Sequence, residues 1–456
     1  MNTIKYIATY AISIWAISLF VINFAWAGIP VEHWSQASGA KVYLVQSPAI
    51  PMVDVQLDFD AGSRRDPPSQ AGLASVSAAM ASKGLQAGGL PAEPAMDENA
   101  LGEAWADLGA SFVAHASSDR MSFSLRSLTY PDLLAKAGPL AARQLAAPSF
   151  PADVWLRERD GMQASLREAN TRPATVAGRA FRKAVFGEHP YGFEMTPESL
   201  ARIEVPHMAA LYRQMILPCR ATVTVVGALD RSRADALVTQ LLARLPAQTG
   251  AASCPTLPAV AEVAPLKQAS EQRIAFESAQ AHVLIGQPGF KRDDPDYFAL
   301  TVGNYILGGG GFVSRLTNEV REKRGLSYSV YSYFSPARHA GEFGIGLQTR
   351  PDQADQALQV SREVMARFVA EGPTEEELKA AKDNLVGGFS LRIDSNRKLI
   401  DNVANMAWNQ LPLDYLDSWT QQVDKVTTAD IRAAFQRKLQ PQAMVTVVLG
   451  GPVAKP

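Results

Sequence analysis

Cysteine and histidine are scarce in this sequence, and neither sign of charge is in surplus. Two cysteines in 456 residues, Cys219 and Cys254, are too few for a disulfide scaffold. They fit either one local staple or two free buried thiols. The six histidines are His33, His115, His189, His207, His282 and His339. No two stand at ligand spacing on one element, so they do not compose a metal site among themselves. Lys plus Arg total 44 against 45 Asp plus Glu, a formal net charge of -1. Such a balance leaves no basic footprint for nucleic acid and no acidic tail, and no nucleic-acid partner is expected. Beyond residue 27 no stretch is apolar enough to span a bilayer.

What is present suits a globular protein. Hydrophobic residues make up 47% and charged residues 20%, enough for substantial cores, and the length predicts two or three domains. The first 27 residues stand apart. After Lys5 there is no charge from Ile7 to Ala27, the centre is rich in Ile, Leu, Phe and Val, and the stretch ends in Ala25-Trp26-Ala27. This pattern predicts a secretory signal peptide cleaved after Ala27. The expected location is outside the cytoplasm, in a bacterial periplasm. Left uncleaved, the same segment would be a membrane anchor, the one route to membrane attachment.

The mature chain repeats itself. Val205-Pro206-His207-Met208-Ala209-Ala210-Leu211-Tyr212 precedes Pro218 and the β-branched run Ala221 to Gly227. Val426-Thr427-Thr428-Ala429-Asp430-Ile431-Arg432 precedes Pro441 and the run Met444 to Gly450. Each reads as helix, proline break and strand ending at glycine. The starts also match: alternating Val53, Val55, Leu57 and Phe59 lead to Arg65-Asp66-Pro67, and His282 to Gly286 lead to Asp293-Asp294-Pro295. The offset stays at about 222–228 residues, the mark of a tandem duplication. Residues 247–272, with three prolines and small residues, have linker composition and predict a solvent-exposed connection. Within the first half, Gly109 to His115 and Met121 to Leu125 alternate as a hairpin, and helical periodicity runs over about 130–145 and 152–168. Hairpins without regular βαβ alternation predict an α+β fold: two homologous domains, each a mostly antiparallel sheet covered by helices. The expected division is a signal peptide 1–27, an N-terminal domain 28–250, a linker 251–271 and a C-terminal domain 272–456.

Gly72-Leu73-Ala74-Ser75-Val76-Ser77-Ala78-Ala79-Met80-Ala81-Ser82-Lys83-Gly84 resembles the segment G-L-A-H-x-x-E-H-M-x-x-K-G of the pitrilysin/insulinase zinc peptidases. The frame matches; the functional letters do not. In that family two histidines at i and i+4 on one helix face grip zinc, and the glutamate between them acts as general base on the zinc-bound water. Those positions here are Ser75, Ala79 and Ala78. The family's further glutamate ligand, in E-R-x-x-x-x-x-E, corresponds to Ser165 after Glu158-Arg159, or to Ala164 if the frame slips by one. An asparagine of the family's substrate-binding edge strand, in G-A-x-x-N-A, falls on Val113, followed by Ala114. His189 lies in Gly187-Glu188-His189-Pro190-Tyr191-Gly192, which resembles a structural loop of the family and not its zinc site.

The second half, unlike the first, matches the family at its functional letters. Leu307-Gly308-Gly309-Gly310-Gly311-Phe312-Val313-Ser314-Arg315-Leu316 and Arg321-Glu322-Lys323-Arg324-Gly325-Leu326-Ser327-Tyr328 resemble L-G-G-G-x-x-S-R-L…R-E-x-x-G-L-x-Y of the same family. The resemblance implies that Arg321 and Tyr328, seven residues apart, position a substrate carbonyl and stabilise the oxyanion at a zinc held elsewhere. It assigns Gly308 to Gly311 to substrate handling, as in the non-catalytic subunit of mitochondrial processing peptidase. No Lys-Ser/Thr follows the glycines, so they are not a phosphate loop. The resemblance implies two domains forming a half-shell around a chamber. It also implies a chain without cofactor or activity of its own, paired as a heterodimer with a homologous zinc-bearing subunit that cleaves peptides. A peptide-binding or chaperone-like module without proteolytic role is the alternative. A structural scaffold, as in the core proteins of the respiratory bc1 complex, fits the retained Arg321 and Tyr328 least.

With Ser75, Ala79 and Ser165 at the ligand positions, elemental analysis of the purified chain should find no stoichiometric zinc. The double variant Ser75→His/Ala79→His should remain inactive, because the base at Ala78 and the third ligand are still missing.

Overall fold

The computed structural model describes residues 28–89, 92–246 and 254–451. The expected signal peptide, 1–27, and the first three residues of the expected linker lie outside the described residues. In the first half, β1 (Glu32–Ser35), β2 (Lys41–Gln46) and β3 (Met52–Phe59) are followed by a two-stranded ribbon of β4 (Gly84–Leu85) and β5 (Met96–Asp97). The hairpin β6 (Ser111–Ala116) and β7 (Met121–Leu128) comes next, and then β8 (Thr222–Gly227). Six of these form one sheet in the order β1-β2-β8-β3-β7-β6. The second half contributes β9 (Ser270–Ile274), β10 (Ala281–Pro288), β11 (Ser329–Ser335), β12 (Glu342–Thr349) and β13 (Val445–Leu449), in the order β11-β12-β10-β13-β9.

Leaving aside β1, the first sheet has the same order as the second read from its other end. β2 pairs with β8 in parallel, as β9 pairs with β13, and every other pairing in both sheets is antiparallel. The repeated sequence ending appears as structure: helices Val205–Met215 and Thr428–Lys438 each end before a one-turn helix, Pro218–Arg220 or Pro441–Ala443, that feeds β8 or β13. Proline suits the first position of such a turn because its missing N–H has no partner to lose there. The fold is mixed α+β with two like domains, as expected. The span 251–271 needs one correction: β9 opens at Ser270, so its last two residues are strand. β9 is almost wholly exposed and reads Ser-Glu-Gln-Arg-Ile, without the apolar alternation by which a strand is recognised.

Each sheet has its own core on one side. The other side is covered by a helix from the opposite half. Helix Pro173–Phe186 of the first half packs on β10 and β13, placing Ala177, Phe181 and Val185 against Val445, Val447 and Leu449. Helix Asn396–Trp408 of the second half packs on β8 and β3, placing Leu399, Ile400 and Val403 with Tyr43, Val45 and Val226. Gly286 on β10 allows the close approach, since a Cβ there would fall 2.6 Å from Cζ of Phe181. Polar ties follow the same seam. Arg120 donates to buried Asp58 at 3.0 Å and to the Ala404 carbonyl at 3.3 Å. Asp119 accepts from the Tyr191 hydroxyl at 2.6 Å and from the Arg338 amide at 3.0 Å.

Cys219 and Cys254 are joined in a disulfide, which resolves the two readings of the pair in favour of the staple. From Cys254 the connection runs extended and mostly exposed to β9, yet it is held along its length. Arg65 donates to the Pro258 carbonyl at 3.0 Å, the His189 ring bonds the Ala261 carbonyl at 3.0 Å, and Val263 is buried at the seam. His189 accepts the Tyr191 amide through Nδ1 at 3.1 Å, so both ring nitrogens serve the loop.

The exchange makes the two halves one folding unit. Urea unfolding followed by circular dichroism and by tryptophan fluorescence should give a single coincident transition, and Phe181→Ala should lower its stability by about 3–5 kcal/mol. Separate transitions of the two halves would contradict the coupling.

Candidate functional site

The residues at the family's metal positions sit on helix Leu73–Met80, a helix of almost entirely small and apolar residues. Leu73, Ala74, Val76, Ala78 and Met80 are buried in the first core, while Ser75 and Ala79 are partly exposed on the other face. Spacing thus puts Ser75 and Ala79 side by side where two imidazoles would stand, but one offers a hydroxyl and the other a methyl. Ser165 lies exposed on helix Ala152–Ala169. This donor set does not fit zinc, which takes thiolate, imidazole or carboxylate ligands. Among the described residues no group of three or more His, Cys, Asp or Glu side chains lies together as a metal site would require.

The helix is nevertheless held firmly. Gly72 stands at φ 104 at its N-terminus, a left-handed conformation open to glycine. Asp66 accepts the Gly72 and Ala74 amides at 2.9 and 3.0 Å, satisfying N–H groups the first turn leaves without partners. Burial pushes the Asp66 carboxyl up to about 7, against the pull of these amides. The helix packs beside β6, the outermost strand of its sheet. Val113 on β6 is 55% exposed and Ala114 is partly buried. The β6 edge that faces away from β7 pairs with no strand among the described residues.

In the second half the retained residues form one cluster. Gly308 and Gly309 lie in a wide π-helical turn, Tyr305–Gly309, that continues helix Tyr297–Asn304; Arg321 lies in a second such turn, Thr317–Glu322. Turns of this kind are uncommon and gather at functional sites. The glycines have local reasons. A Cβ on Gly308 would fall 2.4 Å from the Ser332 amide of β11, and Gly311 takes φ +61. Phe312 and Val313 then project at the tip, 71% and 74% exposed. The Arg321 guanidinium lies 4.7 Å from the centre of the Phe312 ring, donates to the Tyr328 carbonyl at 3.0 Å and pairs with Glu322 at 3.2 Å. The Tyr328 side chain is 86% exposed. The glycine turn, Arg321 and Tyr328 are thus brought together, and Phe312, which periodicity does not distinguish from a core aromatic, joins them. No hydrogen bond or ion pair among the described residues links this cluster to helix Leu73–Met80.

The Arg321 guanidinium is thus oriented by the Tyr328 carbonyl while the Tyr328 phenol stands open to solvent. Two family models match the chain: the insulinase (peptidase family M16) model over residues 41–196 and the peptidase M16 inactive domain model over 202–385. The structure is similar to that of a peptidase M16 inactive domain from Pseudomonas fluorescens, with a TM-score of 0.85 and 35% identity over 93% of this chain and all of that one. A non-peptidase homolog, YmxG of Helicobacter pylori, is 25% identical over 403 residues, 86% of this chain and 88% of its own length. A zinc protease of Streptomyces coelicolor is 27% identical over 295 residues, and the match covers 64% of each chain. The fold is also that of the periplasmic protease PqqL of Escherichia coli, with a TM-score of 0.75 over 93% of this chain and 46% of that one. The chain belongs to the M16 (insulinase) peptidase family, and it lacks that family's H-x-x-E-H motif. No helix among the described residues is long and apolar enough to cross a membrane.

Asp66 gives helix Leu73–Met80 a pH signature. Its folded pKa is raised from the model-compound value of 3.8 to about 7. The stability it contributes is therefore complete below pH 4 and is lost as pH rises towards 7, by up to about 1.4 kcal/mol per unit. Asp66→Asn should flatten this part of the stability–pH curve measured by urea melts.

Proposed function

We propose that this chain is the non-catalytic subunit of an exported, zinc-dependent M16 peptidase. Arg321 and Tyr328 would complete the active site of a homologous, zinc-bearing partner, and the Gly308–Gly311 turn would steer the peptide. The observation that carries the reading is a contrast within one chain. The metal positions have become Ser75, Ala78, Ala79 and Ser165, while Tyr328 stands exposed and Arg321, half-buried, is already oriented. A protein that only packed or only bound would have no use for a cation and a phenol held open in this spacing. For catalysis they supply donors towards developing oxyanion charge, with the guanidinium orientation fixed before substrate arrives. The open β6 edge at Val113 and Ala114 supports peptide binding by strand addition, and enclosure in a chamber would admit unfolded peptides. The names of the inactive-domain and non-peptidase relatives agree with a member that has no activity alone. The expected export signal and the periplasmic relative agree on location.

The test is reconstitution with a similar exported chain that carries H-x-x-E-H, such as the product of a neighbouring gene. The zinc subunit alone should be weakly active and the mixture active. Arg321→Ala and Tyr328→Phe should still assemble but lose roughly 10²–10³ in turnover, in kcat more than in KM. A rise in KM with kcat unchanged would favour a groove that only binds peptide. Full activity of the zinc subunit alone, unchanged by this chain, would remove the proposal.

A further inference from the structure

Beside helix Pro173–Phe186, the second sheet leaves a cleft of about 180 Å³, walled by Phe181 and Arg182 on the helix and by Tyr331, Tyr333 and Glu342 on the sheet. Glycines of β12 lie beneath its two tyrosines. Tyr331 lies opposite Gly346 and Tyr333 opposite Gly344 in the β11–β12 register. A Cβ on Gly346 would fall 2.6 Å from the Tyr331 hydroxyl, and one on Gly344 would fall 2.7 Å from the Tyr333 ring. The two rings therefore lie down over β12, 6.0 Å apart and tilted by 32°. Core aromatics fill space between elements, whereas Tyr331 remains 46% exposed and its ring forms a wall.

Arg182 and Glu342 both line the cleft, but one carboxylate oxygen there is unpaired. Glu342 accepts the Tyr333 hydroxyl on Oε1 at 2.7 Å. Its Oε2 is buried and meets no donor among the described residues. The neighbouring groups do not supply one. Arg182 gives its guanidinium to Glu194 at 2.9 Å. His282 is held below the ordinary histidine range by burial, and so is neutral near pH 7. Tyr333 is held protonated by burial and by the Glu342 charge. A buried carboxylate oxygen without a donor is costly. A carboxylate oxygen beside an open tyrosine face is the pair of features that recognises a cation on an apolar stem.

We propose that this cleft is a subsite for one cationic side chain, lysine or arginine, of a bound peptide, with its charge on Glu342 and its stem along Tyr331. An acidic side chain would meet Glu342 with like charge, and an apolar one would leave Oε2 without a partner. The cleft holds one long side chain, not a folded partner. It opens on the strand that begins one residue after Tyr328, so its occupant would set which bond lies near that phenol. The inference rests on the reading of the chain as a peptide-handling subunit, but its test needs no zinc partner.

Fluorescence anisotropy of the full chain with labelled Gly/Ser/Ala peptides carrying a single Arg, Lys, Leu or Glu measures the preference directly. The Arg and Lys peptides should bind about tenfold more tightly than the Leu peptide, the scale of one charged hydrogen bond, and the Glu peptide should bind weakest. Glu342→Gln should abolish the preference and leave the Leu peptide unchanged. Tyr331→Leu, at an exposed ring outside the core, should weaken Arg and Lys binding about threefold, and it decides the matter if Glu342→Gln does not fold. Stronger Arg than Lys binding that Tyr331→Leu equalises would assign the difference to stacking on the ring. Equal affinity for all four peptides, or a preference that survives both substitutions, overturns the subsite. A chain with the preference that stimulates no zinc subunit would sink the auxiliary-subunit reading alone. One that stimulates but binds all four peptides alike would sink only the subsite.

Discussion

Phe181 and Val185 of the first half lie against β13 of the second, and Val403 of the second half lies in the junction core beside Val226 of the first. These contacts close the faces that each sheet would otherwise leave open to water. Three consequences follow from the exchange. β3 is buried over nearly its whole length despite its polar alternation, so Asp54, Gln56 and Asp58 must be satisfied inside, by Arg126 and Arg120 among others. The helices that cross start at Pro173 and Asn396, at the offset of the internal repeat, so the duplication carries its own means of joining the copies. The cleft at Tyr331 and Tyr333 exists because helix Pro173–Phe186 covers β10 and β13 but leaves β11 and part of β12 bare.

The two halves match different segments of the family's motifs. The first keeps the scaffold of a metal helix: Gly72 at its left-handed turn, Asp66 on the free amides, and the buried face of Leu73–Met80. All of these serve stability and survive the loss of ligands, because a Ser or Ala on the partly exposed face disturbs no packing. The second keeps residues whose exposure contributes nothing to stability. Tyr328 and Phe312 point into solvent, and Arg321 is held by interactions that orient it without burying it. Packing explains the first set. The exposure of the second set agrees with the proposed role at a surface that meets a partner or peptide.

Much of this was legible in the sequence. The alternation in Val53 to Phe59 and in Met121 to Leu125 located β3 and β7, because one strand face must stay apolar wherever it meets a core. The repeated proline breaks before β8 and β13 revealed the duplication. The changed letters at Ser75, Ala78 and Ala79 stood out because the surrounding frame was intact. Other features left no local signal. Periodicity shows that Pro173–Phe186 has an apolar stripe but not whose sheet it covers. Two cysteines do not declare a bond until Cys219 and Cys254 are adjacent in space. Tyr331 and Tyr333 read as ordinary strand aromatics until Gly344 and Gly346 are seen opposite them, and the unpartnered oxygen of Glu342 depends on every neighbour at once.

The exchange of helices also fixes an order in time. A chain made from its N-terminus completes the strands of its first sheet once Gly227 has appeared, yet the helix that covers that sheet ends only at Trp408. At ordinary rates of synthesis the interval is on the order of ten seconds or more. During it a finished set of strands presents Tyr43, Val45 and Val226 to whatever is nearby. Until the second half arrives, this face of the first sheet therefore has no cover of its own.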